Sequence, residues 1–409
     1  MKRLLILTAA LFLTPAFAQQ TLTVAGFPNL TDAVQAAATI YEEQNPDVNI
    51  EVVSKEFVDH HTALLTALAS GAGAPDVTAI EIGFISQFAS AGGLVDLSGA
   101  PYNADEATQD IVDYALEQAT TSDGRLIAIP TDLGPGTMFY RRDILEQMGT
   151  TPEEIGQDWD SYLEFGRALK EQGLILIPNA ARVYHAYIRS NAPEGEGLFF
   201  DAEGNPVVTS ERFAEAFELA KTIRDEGMDL NVTDWSPEWA AAFQSGQAAT
   251  ELFGFWLTGW LESTVPDTSG LWGVTTLPNE SYVSWGGSFY AIPEGSDNKE
   301  LAWDFIQFLT TNPDTQMLAF ETIGAFPSDT EAYDNAIFEE PVEFLGGQQA
   351  YQVAIDIANE ITGQPVNPND NLADEIVGDQ LTQVLTEGKD ISAALEEAQR
   401  LIERRVSRR

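Results

Sequence analysis

The first part of the chain shows an ordered pattern of hydrophobic and polar positions. TLTVAGF (residues 21–27) and VNIEVV (residues 48–53) alternate as half-buried strands do. Four apolar residues between them recur at the spacing of one helical face: Val34, Ala37, Ala38 and Tyr41. Asp32 is the expected N-cap of that helix, and a second helix (residues 60–70) precedes the strand-like segment 74–81. The order strand–helix–strand–helix–strand predicts a parallel sheet with crossover helices.

The ends of these strands give the first candidate binding residues. In parallel α/β sheets, ligands bind beyond the carboxyl ends of the strands. Phe27 and Asn29 follow the first predicted strand, and Glu81 ends the third. We therefore expect these three residues at a ligand pocket. Asn29 also suits a turn before the helix, and Glu81 also suits a strand-end cap.

A strand interrupted by glycines gives a second candidate. YVSWGGSFYAIP (residues 282–293) has a strand pattern that Trp285, Gly286 and Gly287 interrupt. Glycine inside a strand usually marks a bulge or a close approach to the backbone. The sequence therefore predicts that some group approaches these two glycines. Helices and short strands are mixed before this segment, and the C-terminal third is helical, so the whole chain is expected to be α/β.

The N-terminus has the features of a secretory signal peptide. Lys2 and Arg3 precede an apolar run at residues 4–13, and Ala-Phe-Ala at residues 16–18 is a small-x-small cleavage site. We expect residues 1–18 to be removed and the mature chain to be periplasmic or otherwise extracytoplasmic. The chain contains no cysteine. It therefore has no thiol for a disulfide or a lipid anchor, and we expect it to be soluble.

The chain is strongly acidic. It has 20 Lys and Arg against 64 Asp and Glu in 409 residues, a formal net charge of −44. This balance argues against nucleic-acid binding, which requires a basic surface. Two interpretations remain: a solvated acidic surface that maintains solubility, or attraction of a cationic ligand.

Several segments occur in the same order as in a known family. They are GAPDVTAIEIGFISQF, GGLVDLS, DGRLIAIPTDLGPGTMFYRRDIL, WDSYLEFGRAL, WGGSFYAIP, NKELAWDFIQFLTTNPDTQ and GAFPSD. Over nearly the whole mature chain, the sequence resembles the extracellular sugar-binding proteins of ABC importers, the family 1 solute-binding proteins that include maltose-binding protein. The resemblance implies an α/β, two-lobed periplasmic-binding-protein fold of type II, each lobe a central β-sheet flanked by helices. It also implies a hinge of about three crossings, near residues 129–132, 277–283 and 310–315.

These crossings divide the chain between the lobes. The resemblance implies a first lobe of residues 19–129 and 281–312, and a second lobe of residues 130–280 and 313–409. It places Asp132 and the Trp-Gly-Gly stretch near the hinge and the cleft between the lobes. A sugar ring is then the group expected to approach the two glycines.

A sugar ligand requires two kinds of contact. Its apolar faces stack on aromatic rings, and its hydroxyls hydrogen-bond to planar polar groups. Trp235 and Trp239 are four residues apart, so this pair would share one helical face. The segment ELFGFW, which ends at Trp256, matches the family segment that places an aromatic ring against the sugar. The predicted sugar-binding tryptophans are Trp235, Trp239, Trp256 and Trp285, with core packing as the other interpretation of each.

Carboxylates are the expected acceptors of sugar hydroxyl protons, because charge-assisted hydrogen bonds fix orientation. Asp132 follows Pro130 at a predicted crossing between the lobes. We expect Asp132 and Glu81 to accept hydroxyl protons; a solvated hinge charge is the other interpretation of Asp132.

The histidines do not predict a metal centre. His60 and His61 are adjacent, so they cannot face the same way on regular structure, and His185 is remote in sequence. We therefore predict no metal and no cofactor. His185, with Arg182 and Tyr184, is instead a candidate for the second-lobe wall of the cleft.

The leading hypothesis is a receptor rather than an enzyme. The chain lacks a cysteine nucleophile, a Gly-x-Ser-x-Gly elbow and a P-loop. We expect a monomer that captures a mono- or oligosaccharide and delivers it to the membrane permease of an ABC transporter. One alternative is a binding protein for a cationic solute such as a polyamine. Another is a secreted glycosidase, which requires two suitably separated carboxylates.

Overall fold

A computed structural model describes residues 19–121, 123–193 and 195–407, and a mixed sheet forms its centre. The strands are β1 (Gln20–Gly26), β2 (Val48–Ser54), β3 (Val77–Glu81), β4 (Ile129–Arg141), β5 (Thr250–Gly254), β6 (Trp272–Thr275), β7 (Ser284–Ala291) and β8 (Phe326–Pro327). Their order is β2-β1-β3-β7-β4-β5, and β6 and β8 also pair with β4. The predicted signal peptide, residues 1–18, lies outside the described residues.

Helices surround the sheet. The α-helices are α1 (Leu30–Gln44), α2 (Phe57–Ser70), α3 (Ile82–Ala91), α4 (Ala104–Ala107), α5 (Asp113–Gln118), α6 (Arg142–Met148), α7 (Pro152–Ile155), α8 (Trp159–Glu171), α9 (Ala181–Ser190), α10 (Glu211–Asp225), α11 (Pro237–Gln244), α12 (Leu257–Thr264), α13 (Lys299–Thr310), α14 (Pro313–Ile323), α15 (Ala350–Glu360), α16 (Asp370–Glu387) and α17 (Ile391–Val406). Short 3-10 helices lie at Pro266–Thr268, Thr330–Asp334, Ala336–Glu339 and Glu343–Leu345. Within the described part of the chain, none of the helices combines the length and apolarity needed to cross a membrane.

The predicted parallel arrangement is present at the start of the chain. Strand β1 pairs in parallel with both β2 and β3, and its inward residues Leu22 and Val24 are buried. The predicted apolar face of α1 is buried as well: Val34, Ala37, Ala38 and Tyr41. The predicted cap is wrong in one respect. The helix begins at Leu30, so Asp32 lies in its first turn, where a negative charge still suits the helix dipole.

Strands β4 and β7 extend through both halves of the molecule. Residues 129–135 of β4 pair with β7, and residues 136–141 pair with β5 and β6. Strand β7 in turn pairs with β3 through residues 288–291. The register of β4 shifts twice against β7, around Asp132 and Leu133. Such irregularities bend a strand, and these two lie in the middle of β4.

Among the described residues, the buried hydrophobic side chains form three clusters. One cluster joins β1, β2 and β3 to α1 and α13. A second joins α8, α9 and α10 to α16 and α17, and the third joins α11, α12 and α15 to β5 and β6. We call the part around the first cluster the first lobe, and the part around the other two the second lobe. Glu81, Asp132 and the segment Trp285–Gly287 lie where β3, β4 and β7 meet between them.

Candidate functional site

Three neighbouring strands bring two of the predicted acids together. Ser288 of β7 pairs with Glu81 of β3 on one side and with Asp132 of β4 on the other. Glu81 and Asp132 therefore flank the same residue, each about 4.8 Å away in the hydrogen-bonding direction. The sequence predicted both acids, whereas Ser288 carried no signal that separated it from an ordinary strand serine.

The Asp132 carboxylate is incompletely satisfied. Its Oδ1 atom is buried without a hydrogen-bond partner. Burial raises the pKa of Asp132 to about 6, and hydrogen bonds from the Ser288 hydroxyl and backbone N–H oppose that rise. Leaving a buried acceptor unpaired costs free energy, so a ligand that donates to Oδ1 would bind favourably here.

Glu81 has two roles at the end of β3. Its Oε2 accepts a hydrogen bond from the Gly83 N–H at 2.8 Å, as an N-cap of α3 does. Burial and the neighbouring Asp132 charge raise the pKa of Glu81 to about 7, while the Gly83 bond and the Arg189 charge oppose the rise. The capping interpretation is therefore correct, and the carboxylate still lies beside Asp132.

The adjacent histidines, His60 and His61, hydrogen-bond to the backbone of β3 beside Glu81. His60 Nε2 lies 2.7 Å from the Ala79 carbonyl oxygen. His61 Nδ1 lies 2.7 Å from the Phe57 carbonyl oxygen, and its Nε2 accepts from the Glu81 N–H at 3.1 Å. His61 therefore carries its proton on Nδ1 and is neutral, in agreement with a pKa that burial lowers to about 4. The described residues contain no group of three or more His, Cys, Asp and Glu side chains suited to a metal ion.

Two arginines of α9 bracket a pair of aromatic rings on the second lobe. The guanidinium carbon of Arg182 lies 4.0 Å from the Phe253 ring centre, and that of Arg189 lies 4.8 Å from the Trp285 ring centre. The Phe253 and Trp285 rings are stacked, with centres 5.6 Å apart and planes 17° apart. The arginines are separated by about two helical turns, a spacing that fits two stacked rings. We call these four residues the arginine–aromatic stack; cation–π contacts of this kind stabilise most when desolvated.

Trp285 does not offer a free ring face. Its side chain is only 7% exposed, and both Phe253 and Arg189 stack against its ring. Both faces of the ring are therefore covered by the protein in this structure, and a contact of Trp285 with a sugar stays a prediction. The ring instead fixes β7 to the second lobe.

The groups that lie close to the two glycines belong to the protein itself. Gly286 and Gly287 have φ angles of 118° and 129°, which residues with a β-carbon rarely adopt. A β-carbon on Gly286 would lie 2.7 Å from Trp256 Nε1, and one on Gly287 would lie 3.0 Å from the Asp132 carbonyl oxygen. An indole and a backbone carbonyl therefore account for the two glycines without a ligand. A sugar ring close to Gly286 and Gly287 stays a prediction.

Trp256 and Trp235 provide the aromatic surface that remains. Trp256 Nε1 donates to the Trp285 carbonyl oxygen at 3.0 Å, which fixes the orientation of its indole. Trp235 stacks on Trp256, with centres 5.8 Å apart and planes 14° apart. Trp256 is partly exposed and Trp235 is 49% exposed, with a left-handed φ of 64°. Backbone strain of this kind persists where the surroundings impose it.

Trp239 belongs to the core. Its side chain is completely buried, and its Nε1 donates to Glu251 Oε2 at 3.0 Å. The prediction that Trp239 contacts a ligand is therefore wrong, and core packing, the other interpretation, is correct. The shared helical face was misleading because Trp235 precedes α11, and only Trp239 lies within it.

Helix α16 adds two carboxylates, and one of them, Asp374, faces α9. Asp370 and Asp374 lie one turn apart at its start, and the Oδ1 atom of each is buried without a hydrogen-bond partner. Burial raises the pKa of Asp370 to about 7 and also raises that of Asp374, where Arg189 opposes the rise. His185 Nδ1 lies 3.9 Å from Asp374 Oδ1. Burial holds the His185 pKa well below its ordinary value, so this histidine is neutral.

Unpartnered buried polar atoms are thus frequent around α9. Among the described residues they include Asp132 Oδ1, Asp234 Oδ1, Asp370 Oδ1, Asp374 Oδ1, Arg182 Nε and Tyr184 OH. Arg182 also donates through Nη2 to Asp234. The charges form one group, because Arg189 interacts with Glu81 on the first lobe as well as with Asp374 on the second. We call this set the polar cluster.

Phe27 and Asn29 lie at the end of β1, beside this group. The Phe27 ring contacts Phe57 and His61, at centre distances of 5.2 and 5.5 Å. His61 in turn accepts a hydrogen bond from the Glu81 N–H, so one residue lies between Phe27 and the acidic pair, Glu81 and Asp132. Asn29 is exposed, has a φ of 70° and precedes α1 without a side-chain cap bond. The turn interpretation of Asn29 therefore holds, and its binding role stays a prediction.

Two cavities lie elsewhere in the molecule. One of about 330 Å³ is lined by residues 109–114 and by the end of α15. One of about 220 Å³ lies between α2 and the sheet and includes His60. Neither contains the acidic pair, the arginine–aromatic stack or the exposed tryptophans. The candidate site is therefore defined by its unpartnered polar atoms and aromatic surface rather than by enclosed volume.

Several residues of this site could not be predicted from the sequence patterns. Those not predicted are Ser288, Arg189, Phe253, Asp234, Asp370 and Asp374. A usable signal existed for some of them, because Arg182 and Arg189 share one face of α9, and Asp370 and Asp374 are four apart on α16. Only the packing of α9 against β5, β7 and α16 gives those spacings a meaning.

Comparisons with known proteins agree with this architecture. Residues 36–345 match the family model described as bacterial extracellular solute-binding protein. The lactose-binding protein of Rhizobium radiobacter is 28% identical over 373 residues, covering 85% of this chain and 84% of that protein. The arabinooligosaccharide-binding protein of Halalkalibacterium halodurans is 25% identical over 352 residues, covering 81% of this chain and 76% of that protein.

A solved structure of a family 1 extracellular solute-binding protein has a TM-score of 0.84 to this chain at 26% identity. The match covers 94% of this chain and 99% of that one. The predicted two-lobed α/β fold class is therefore confirmed. Because the family model spans most of the chain, this protein belongs to the bacterial extracellular solute-binding proteins.

Proposed function

We propose that this protein is an extracytoplasmic receptor that binds a mono- or oligosaccharide between its lobes and delivers it to an ABC transporter. Binding supplies the free energy that favours the closed arrangement of the lobes. No bond is made or broken in this cycle, so the protein is not an enzyme. The family to which the chain belongs consists of binding proteins.

The observation that carries this proposal is the polar cluster. Four of its carboxylate oxygens are buried and lack a donor, on Asp132, Asp234, Asp370 and Asp374. Each unpaired buried acceptor costs about 1–3 kcal/mol. A ligand with many hydroxyl donors would remove this cost at several positions at once, and sugars are the common small molecules with that property.

The exposed tryptophans supply the second requirement of a sugar site. Trp235 and the partly exposed Trp256 present apolar surface beside the arginine–aromatic stack. Covering ~60 Å² of such surface with the C–H face of a sugar ring is worth about 1.5 kcal/mol. The indoles are held in place by Phe253, so little freedom is lost on binding.

The names of relatives support a sugar as the ligand class. The matched relatives include lactose-binding, arabinooligosaccharide-binding and maltotriose-binding proteins. A protein of the same fold from B. animalis subsp. lactis was solved in complex with beta-1,6-galactobiose. These sugars differ in their units and linkages, so they support the ligand class and not one particular sugar.

The lobe division and the hinge belong to the same proposal. We place the first lobe at residues 19–129 and 281–312 and the second at residues 130–280 and 313–409. The buried clusters support this division, because residues of β1–β3 and α13 share one cluster. The paired middles of β4 and β7 are the proposed hinge, supported by the register shifts of β4.

The remaining parts of the proposal concern partners and location. The receptor acts as a monomer, outside the cytoplasmic membrane, after residues 1–18 are removed. Its partners are the sugar and the membrane permease subunits of an ABC transporter. The family description, an extracellular solute-binding protein, supports this location.

A binding titration tests the proposal directly. Lactose, arabinotriose and maltotriose are added to the purified protein while tryptophan emission and calorimetric heat are followed. The expected result is saturation at one sugar per chain, with the sugar recovered unchanged after prolonged incubation. Recovery of shortened products would instead indicate the glycosidase alternative. If no sugar binds, either among these three or in a wider screen, the proposal is contradicted.

A cationic solute is the second candidate, favoured by the charges of the site. Five carboxyl groups surround it, on Glu81, Asp132, Asp234, Asp370 and Asp374, against the two arginines of α9. A polyamine would compensate this excess of negative charge. It would not use the apolar surface of Trp235 as well as a sugar face does, and we therefore place it second.

A further inference from the structure

Residues 362–369, between α15 and α16, form a strap that reaches from the second lobe to the first. On the second-lobe side, the Gln364 side-chain amide donates to the Arg189 carbonyl oxygen at 3.2 Å. The Pro365 carbonyl oxygen lies against Gly197, where an added β-carbon would stand 2.3 Å from it. The strap is therefore fixed to the lobe that carries α9.

On the first-lobe side, the strap and the start of α16 contact α3. The Ser86 hydroxyl of α3 donates to the Asn367 carbonyl oxygen at 2.9 Å. Asn371 Oδ1 lies 3.2 Å from where a β-carbon of Gly83 would be. Ser86 is only 4% exposed, so water is excluded from this contact. The lobes touch here, and this end of the cleft is closed.

Two candidate binding groups lie within a few residues of these contacts. Glu81 precedes Gly83 by two residues, and Asp370 follows Asn367 by three. The Asn367 N–H donates to Asp370 Oδ2 at 2.7 Å, whereas Asp370 Oδ1 is buried without a partner. The strap thus orients one oxygen of this carboxylate and leaves the other for a donor from elsewhere.

The opposite end of the site is open. From Arg189 the arginine–aromatic stack leads through Trp285 to Phe253, whose ring contacts Trp235 at a centre distance of 5.5 Å. On this path Trp285 and Phe253 are buried, at 7% and 3% exposed, whereas Trp235 at its end is 49% exposed. Solvent therefore reaches the site at the Trp235 end, while the strap blocks the other.

We propose that the cleft binds an oligosaccharide end-on, with one terminal sugar unit at the strap and the remaining sugar units extending past Trp235. The inference rests on the proposed sugar-binding function and names the part of the sugar that is recognised. The terminal unit donates its hydroxyl protons to Glu81, Asp370 and Asp374. The following sugar units stack on Trp235, and the protein does not limit the length of the oligosaccharide there.

Oligosaccharides blocked at one end test this inference. Arabinotriose, lactose and maltotriose are each prepared in three forms: unmodified, with a 2-aminobenzamide group on the reducing end, and with the non-reducing unit O-methylated. Dissociation constants are measured for the wild-type protein by calorimetry. End-on binding predicts that one of the two modifications weakens binding ~100-fold, because hydrogen bonds to charged groups are lost. The other modification should change affinity less than ~3-fold.

The outcomes separate this inference from the proposed function. A cleft open at both ends would accept both modified forms, and one closed at both ends would reject both. Either result overturns the end-on inference while the unmodified sugar still binds. If no unmodified sugar binds in this or a wider screen, the proposed function itself fails.

The variant Trp235→Ala provides a second, independent readout. In the wild type, the trisaccharide of a binding series should bind more tightly than the disaccharide. In the variant, the ratio of the two affinities should fall about tenfold. The affinity for the disaccharide should change little. Ile40→Ala, which removes exposed apolar surface from α1, is the matched control and should leave both affinities unchanged. Equal losses for both lengths in Trp235→Ala would contradict the assignment of Trp235 to the open end.

Discussion

The individual carboxylates of the site differ in their hydrogen-bond partners. Asp132 receives bonds from Ser288 on one side and leaves Oδ1 unpaired on the other. Glu81 has one oxygen committed to the N-terminus of α3. The most direct consequences for binding are therefore expected at Asp132, because its free oxygen has no structural task.

The substitution Asp132→Asn should weaken sugar binding about 10- to 100-fold and leave the fold intact. The amide keeps the size of the side chain but loses the charge that strengthens a hydrogen bond from a sugar hydroxyl. Calorimetric titration with a sugar that binds the wild type measures the effect. Asp47→Asn, an exposed carboxylate before β2, is the control; equal affinities in the two variants would show that Asp132 does not contact the ligand.

Burial also makes Glu251 a source of pH-dependent stability. This side chain is completely buried, and burial raises its pKa from 4.5 to about 8. The folded protein thus holds a proton that the unfolded chain releases at lower pH. The contribution of this residue to stability is present below pH 4.5 and is lost as the pH rises towards 8.

Glu251→Gln, which imitates the protonated form, should therefore lose less stability than the wild type between pH 5 and about 8. The unfolding midpoint of both proteins, measured by near-UV circular dichroism across this range, gives the comparison. The general repulsion of an acidic chain affects both proteins equally, so only the difference between the curves is assigned to Glu251. Parallel curves would show that Glu251 is ionised in the folded state.

At the scale of elements, β7 shows how a strand can carry a constraint that resembles a binding motif. Its two glycines allow the Trp256 indole and the β4 backbone to approach closely. The same geometry brings the Trp285 carbonyl to the Trp256 N–H. The Trp-Gly-Gly sequence therefore encodes the packing of β7 against β4 and β5, between the two lobes.

Gly286→Ala should destabilise the protein by about 1–3 kcal/mol. The new methyl group would require a left-handed φ and would meet Trp256 Nε1 at 2.7 Å. Gly259→Ala in α12 is the matched control, because nothing lies within 4 Å of its added β-carbon and alanine is the better helix former. Chemical denaturation measures both; a Gly286→Ala variant as stable as the control would contradict the close packing at this strand.

Elements were predictable from sequence where one periodic pattern decided them. The alternation in β1 and β2 and the apolar face of α1 were read correctly, because each reflects burial on one side. The shared helical face of Trp235 and Trp239 was not, because spacing alone does not show where a helix starts. Trp239 lies inside α11 and in the core, while Trp235 lies before it and is exposed.

At the scale of the whole molecule, the net charge of −44 affects every ligand that approaches. The charge allows the two candidate ligand classes to be separated by ionic strength. Attraction of a cation at exposed sites is screened within ~10 Å at ~0.1 M salt, whereas hydrogen bonding and stacking of a neutral sugar are screened little.

We expect the affinity for a bound sugar to change less than about threefold between ~0.02 and ~0.5 M sodium chloride. The affinity for spermidine, if it binds, should fall steeply over the same range. Titrations of both ligands at several salt concentrations measure this. A strong salt dependence of the tightest ligand would favour the cationic candidate over the sugar.

The sequence by itself determined the class of the protein and part of the site. Local periodicity predicts the strands and helices, and the ordered family segments identify the two-lobed fold, because both depend on burial patterns that run along the chain. Glu81 and Asp132 were found because each stands at a strand end or a predicted crossing. Only the tertiary structure decided which side chains are left unpaired. Arg189, Ser288 and Asp370 come from distant segments, and a hydrogen bond that is missing can be recognised only when all the neighbours of a buried atom are known.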